Sequence, residues 1–430
     1  MPRALDLHRL GSLAARQEAL RKYSESLGER SGDGVIFDFG LVDPAMYERS
    51  CEALVGTVAI PVGVVGPLRV QTRRYGENEA SELVELGTEV RDYPIPMATL
   101  EGGLNASLNR GIKAANSCGG VTTFLVKASM TRGTCYVFDS TEPAYHFSGW
   151  LRESVPQMRA WLADPDNPLR GVDHNGVPVL SRYAQLKSIQ TFVLSNSCHA
   201  IFEYSTGDAC GQNMSTRNTY LLHEHFIVPR FHAATGVVPR HFLLEANTGG
   251  DKKVTNLYHT HGGHGRMVLA SAVVSGEVLE GRLKCRVEDL VRARNVGIEG
   301  SVLSGMLGFA VNPANVIAGI FAATGQDLAC VGTSSMAITT AAECADGMLF
   351  TLRLPSLEVG TVGGGTGYPH QRTYLNLMGC VGEGSANRFA QVVAAAALCL
   401  DISTVCAVAA AGSVSFYTAH LERGGRQRTR

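Results

Sequence analysis

Apolar residues recur at helical spacing after Glu101. Leu104, Leu108, Ile112 and Ala115 share one face, so the spacing predicts a helix with Glu101 in its first turn. Before it, residues 52–71 (EALVGTVAIPVGVVGPLRVQ) mix β-branched positions with Gly and Pro, which predicts a strand broken by turns. From 134 to about 240 the segments CYVFDS, HAIFEY and HFIVPR read as strands, separated by the amphipathic SGWLRESVPQMRAWLA and by SRYAQLKSIQ. Such alternation predicts an α+β domain at 134–240, inserted into a large domain formed by 51–133 and 241–430. Residues 266–294, 313–325 and 385–411 are rich in Ala, Leu and Val and predict helices, so the large domain should be helix-rich. Residues 1–50 predict an N-terminal helical segment, with Leu5, Leu7, Leu10 and Leu13 set among Arg and Lys.

A chain of 430 residues exceeds one ordinary core. With 38 basic and 39 acidic residues the formal charge is -1. No global field therefore draws it to nucleic acid or an anionic membrane, and an anionic ligand must be met locally. The eleven Cys are odd in number and contain no CxxC pair, which points to reduced thiols and a cytoplasmic location. The N-terminal segment lacks a signal peptide's apolar core, and Asp6 and Glu18 speak against a transit peptide. A later apolar run, MLGFAVNPANVIAGIFAATG, carries Asn312, Pro313 and Asn315, so it reads as a buried helix and no membrane segment is expected.

Candidate chemistry follows from charged residues in unusual company. Glu101 stands among small and apolar neighbours, where burial raises a carboxyl pKa and a helix N-terminus lowers it. Arg110 and Arg132 read most simply as solvated, as does the Lys252–Lys253 pair after NTGG. The turn TGDACGQN offers backbone amides to a phosphate or an amide-bearing ligand but lacks the spacing of GxGxxG. Asp327 interrupts an apolar run and needs a partner if buried. His420 stands near the C terminus. His259, His261 and His264 in HTHGGHG could ligate a transition metal, but no neighbouring carboxylate completes a recognisable site, and no metal is expected.

Taken in order, EALVG…PVGVVGPL, PMATLEGGLNASLNRG, MTRG, GDAxGxN, DKK, GQD, VGTSS and LEVGTVGGGT resemble the hydroxymethylglutaryl-CoA (HMG-CoA) reductase family over nearly the whole chain from Glu52. The resemblance implies a four-electron reduction of an acyl-CoA thioester to an alcohol with two NADPH and no metal. It implies a catalytic set of Glu101, Lys252, Asp327 and His420. Ser107, Arg110, Arg132, Asp251, Lys253, Arg294 and Asn315 would face the acyl-CoA substrate, and Ser181, Arg182, Asp208, Gly211 and Asn213 the NADPH. The inserted domain would be ferredoxin-like and bind the cofactor. The protein would be a homodimer or homotetramer with sites between subunits.

Three positions depart from the family's pattern. Glu245 stands where animal-type members place a Ser, Asn312 where a His is usual, and the tail reaches His420 about two residues late, with Arg423 and Arg426 straddling the position of the usual Arg. Glu245 would repel a substrate carboxylate unless it is protonated or turned away. These departures keep open a related reductase of another acyl thioester, or a catalytically silent relative.

Overall fold

A computed structural model of the chain describes residues 11–26, 43–48, 50–78, 82–172, 179–306 and 309–410. Among these residues, nine strands run in chain order: β1 (Val62–Glu77), β2 (Leu83–Ala98), β3 (Val121–Val137), β4 (Gln185–Leu194), β5 (Ser197–Ser205), β6 (His241–Leu243), β7 (Gly265–Ser275), β8 (Ile338–Cys344) and β9 (Gly347–Leu357). Helices of eight or more residues are α1 (Leu13–Ser26), α2 (Leu104–Ser117), α3 (Thr141–Glu153), α4 (Val155–Ala163), α5 (Gln212–Leu222), α6 (Val228–Thr235), α7 (Val287–Ser304), α8 (Pro313–Thr324), α9 (Pro369–Leu377) and α10 (Ala386–Ala409).

Strand β3 belongs to two sheets. Up to Ser129 it pairs with β7 in the order β2-β1-β3-β7-β9-β8. From Met130 it pairs with β5, and β6 and β4 complete a second, antiparallel sheet in the order β6-β3-β5-β4. The chain order β3-α3-β4-β5-α5-β6 with that strand order is the ferredoxin-like βαββαβ arrangement expected of the insert. Pairing changes sheets between Ser129 and Met130, and His241–Leu243 still pairs in the second sheet.

The core of the larger sheet is closed by α10. Its apolar residues run all round the helix, and all of Phe389 to Ile402 is buried, which requires protein on every side. It is long and apolar enough to cross a membrane, yet here it is an internal helix. Helix α2 lies against it with Leu104, Leu108, Ile112 and Ala115 buried, as the periodicity predicts. The two backbones meet at Gly111, where a Cβ would stand 1.8 Å from the Cys399 carbonyl oxygen.

Several local expectations fail for physical reasons. Residues 265–275 form strand β7 rather than a helix: RMVLASAVVS lies between β3 and β9 with alternating burial, but its more exposed face still carries the apolar Leu269 and Val273, so its composition carries no period of two. HFIVPR is helical, because Phe226, Ile227 and Phe231 turn inward together beneath the second sheet. QLKSIQ is strand β4. Glu101 precedes its helix, which starts at Leu104 behind Gly103, a left-handed residue with φ 84°.

Gly111→Val should destabilise the protein by about 3 kcal/mol or more, because an over-packed crossing of two buried helices cannot relax. Urea denaturation reads this as a lower midpoint at unchanged slope, and an unchanged midpoint would contradict the close crossing.

Candidate active site

The loop from Glu245 to Lys253 crosses β3 where the strand changes sheets. Ala246 N–H donates to the Gly133 carbonyl at 2.8 Å, and the Thr131 hydroxyl to the Gly249 carbonyl at 2.7 Å. Gly133 and Gly249 are in such close apposition that a Cβ on Gly133 would lie 2.1 Å from the Gly249 nitrogen. Lys252 follows in the left-handed region, φ 55°, a conformation disfavoured for a residue with a Cβ and fixed here by the loop.

That backbone brings Lys252 Nζ to 2.9 Å from Asp327 Oδ2. Asp327 sits just beyond α8, and its Oδ1 accepts the Ala329 N–H at 3.0 Å, capping the short helical turn Leu328–Cys330. Its hydrogen bond to Asp327 raises the Lys252 pKa above the usual range, so the ammonium keeps its proton at neutral pH. Burial pushes Asp327 up, but the Lys252 and Ala329 hydrogen bonds outweigh it and the carboxyl stays below its usual range. A charged donor held by a fixed carboxylate can stabilise developing negative charge on an oxygen.

Asp327 also lines a cleft of about 870 Å³. Opposite it run Ala209 to Met214, from the TGDACGQN turn into the first turn of α5, and the glycines at 363–365. Gly211, φ 96°, precedes α5. The α5 N-terminus offers main-chain N–H groups and the positive end of the helix dipole, which suits a dinucleotide phosphate. Asn213 is exposed there. Asn218 of α5 bonds the Ser181 N–H and carbonyl, both at 2.9 Å, and so holds the Ser181–Arg182 turn beside the helix. Arg182 is exposed over the Tyr183 ring.

Asp208 is tied to the main chain beside a second cleft, which it lines together with Arg266. Its two oxygens accept the Gly384 and Ala386 N–H groups at 2.7 and 2.9 Å, capping α10 from the turn before α5. Arg266, which sequence reasoning missed, joins the same corner: its buried guanidinium donates to the Gly207 and Val359 carbonyls at 2.6 Å and to Asn387 at 2.9 Å. A charged residue at the start of a strand that is otherwise apolar was the available signal.

Glu101 does not meet Lys252 within one chain. It is exposed and accepts from Asn315 Nδ2 at 2.9 Å. Asn315 lies in the first turn of α8 and Asp327 beyond its other end; at 1.5 Å per residue the helix alone separates them by roughly 14 Å. Ser107 and Arg110 of α2 turn to α10, where Arg110 bonds the Ser403 hydroxyl and carbonyl at 3.0 and 2.7 Å. Asn312 bonds Thr404 at 2.7 Å. Arg294 is exposed on α7. His420, Arg423 and Arg426 lie outside the described residues.

Of the three histidines in HTHGGHG, His264 is fully buried, its Nδ1 2.7 Å from the Thr131 hydroxyl and its Nε2 3.4 Å from Glu358. Asp251, His264 and Glu358 offer ligand atoms within 4.8 Å of one another. Gln212 also donates to Glu358, and Arg132 to Asp251, so the cluster is cross-linked by the protein's own groups.

The family model for hydroxymethylglutaryl-coenzyme A reductase matches residues 12–424. The 3-hydroxy-3-methylglutaryl-coenzyme A reductase of Pyrococcus horikoshii is 33% identical over 381 residues, covering 86% of this chain and 83% of its own. The enzyme of the same name from Aeropyrum pernix is 33% identical over 416 residues, covering 94% and 89%. Among solved structures, the class II reductase of Streptococcus pneumoniae bound to NADPH in open conformations superposes with a TM-score of 0.61 at 15% identity, over 94% of this chain and 99% of that one, a likeness of fold. With a match spanning nearly its whole length and relatives a third identical, this chain belongs to the HMG-CoA reductase family.

Proposed function

We propose that the family's reaction, reduction of HMG-CoA to mevalonate and free CoA, runs here on two NADPH through a hemithioacetal and mevaldehyde, with Lys252 as the oxyanion-stabilising group. The observation that carries this reading is the Lys252–Asp327 ion pair, 2.9 Å long, whose Asp327 lines the cleft beneath the α5 N-terminus. When bound, NADPH would supply the hydride for each of the two reductions. Gly211, Asn213 and the main chain of the first turn of α5 would hold it, with Ser181 and Arg182 at the 2′-phosphate, where a guanidinium favours NADPH over NADH. Asp208 supports that site by fixing the turn to α10.

Lys252 donates to the oxygen that becomes negative as the thioester carbonyl turns tetrahedral, and Asp327 keeps the ammonium charged and aimed. When the hemithioacetal collapses, the C–S bond breaks and His420 protonates the departing thiolate. Glu101 supplies the proton to the aldehyde oxygen during the second reduction. Ser107 and Arg110 serve the CoA side, and Arg132, Asp251, Lys253, Arg294 and Asn315 the acyl side.

Because Glu101 and Lys252 lie at opposite ends of α8, we infer that a complete site combines Glu101 of one copy with Lys252 and Asp327 of another. Leu100, beside Glu101, is 82% exposed, and Leu328, beside Asp327, is 55% exposed. Each half of the site thus leaves apolar surface open to a partner, as does α7 with Val296, Val302 and Leu303. The eleven free cysteines suit a reducing compartment, and we place the reaction in the cytoplasm.

Lys252→Ala should lower kcat by about 10² to 10³-fold, the cost of removing one oxyanion donor, with NADPH affinity and melting temperature retained. Steady-state kinetics at wild-type rate would remove the assigned role. Glu101→Gln and Lys252→Ala chains, each nearly inactive alone, should recover about a quarter of wild-type activity when co-assembled at equal amounts into two-fold dimers. Mixtures as inactive as the separate variants would place both residues in one chain's site.

A further inference from the structure

Arg132 lies in β3 just beyond the change of sheets, with a side chain only 7% exposed. Its Nη1 donates to Glu245 Oε2 at 2.6 Å and its Nη2 to Asp251 Oδ2 at 3.2 Å. The other Glu245 oxygen, Oε1, accepts the Asn247 N–H at 2.9 Å and lies 3.6 Å from Lys253 Nζ. A guanidinium, an ammonium and a main-chain N–H therefore converge on a single carboxylate. That is a built carboxylate-binding site, and Glu245 fills it.

We propose that Glu245 is a specificity-determining residue: it occupies, from within the chain, the Arg132–Lys253 cation pair, and so biases the site toward acyl-CoA thioesters that carry no free distal carboxylate. The inference rests on the assignment of Arg132 and Lys253 to the acyl end of the substrate.

The charge balance gives the reason. Arg132 and Lys253 are offset by Glu245 and Asp251, so the cluster is neutral as it stands. An arriving distal carboxylate adds an uncompensated negative charge next to a guanidinium that is shielded from water, and like charges at that separation repel. HMG-CoA binds by displacing Glu245, which must give up three partners for the carboxylate to take them over. An acyl arm without charge meets no such competitor. Gln at 245 keeps an oxygen for Arg132 and removes the charge, leaving the cluster net positive before the substrate arrives and neutral afterwards. The effect is confined to the distal arm, since Glu245 touches neither Lys252 nor Asp327 in the described contacts.

The test is calorimetric binding of two thioesters, HMG-CoA and 3-hydroxy-3-methylbutyryl-CoA, to wild type and Glu245→Gln, each saturated with NADP+. The second thioester has a methyl in place of the carboxymethyl arm. The expected result is HMG-CoA binding about tenfold tighter to the variant, ~1.4 kcal/mol, with the neutral thioester changed less than about twofold. HMG-CoA affinity that is unchanged or lower in the variant, or an equal change for both thioesters, would overturn the proposal. If Glu245→Gln does not fold, Glu245→Ser, which removes charge and arm together, is held to the same ratio. The measurement reads binding alone: a wild type that binds both thioesters and reduces neither contradicts the proposed reaction, while the affinity ratio still decides the role of Glu245.

Discussion

The site depends on the seam where β3 leaves one sheet and enters the other. At that point two backbones touch with no side chain between them, Gly133 against Gly249, and the loop from Glu245 to Lys253 has no freedom to slide. A strand paired on both sides cannot move by one residue without turning every side chain to the opposite face. The position of Lys252 is therefore inherited from the register of two sheets. The second sheet follows from the same seam, since its first strand is the far half of β3.

The charges at the seam divide into two groups with different purposes. Lys252 and Asp327 are each nearly half exposed, and such a pair adds at most about 1 kcal/mol to stability. Its value lies in the protonation it enforces, an ammonium that stays charged beside a carboxylate that stays ionised. Asp208 and Arg266 hold the scaffold instead. Asp208 satisfies two main-chain N–H groups at the start of α10, and Arg266 crosses three segments from a buried position. Burial lowers the Arg266 pKa, but a guanidinium still holds its proton, so its hydrogen bonds persist through the neutral range. Between them the turn before α5, the end of β9 and the α10 N-terminus form one corner.

Much of this is legible in the sequence, for reasons that can be named. The α2 spacing reveals its buried face, because a helix with one side in the core keeps a period near 3.6. The glycine clusters mark close approach, and NTGGDKK lies against β3 as that reading requires. The α+β class and the family also follow, through the order of short motifs. What fails is local. β7 hides its strand period because its more exposed face still carries Leu269 and Val273, and HFIVPR borrows helical structure from the aromatic cluster it completes. The exposure of Glu101 is invisible because its apolar neighbours, Leu100 among them, point outward from a single chain. The main-chain partners of Asp208 are invisible because a turn carboxylate before a helix gives no hint that a second helix, 178 residues later at Ala386, supplies them.

The roles proposed for Lys252, Asp327 and the cleft share one purpose, the reduction of a thioester, and turnover reads it directly. Purified protein is supplied with HMG-CoA and NADPH and followed for free CoA, mevalonate and NADPH consumed. Mevalonate formed with two NADPH oxidised for each CoA released is the predicted result. CoA released with one NADPH and an aldehyde product, or no turnover by folded protein that binds NADPH, would contradict it.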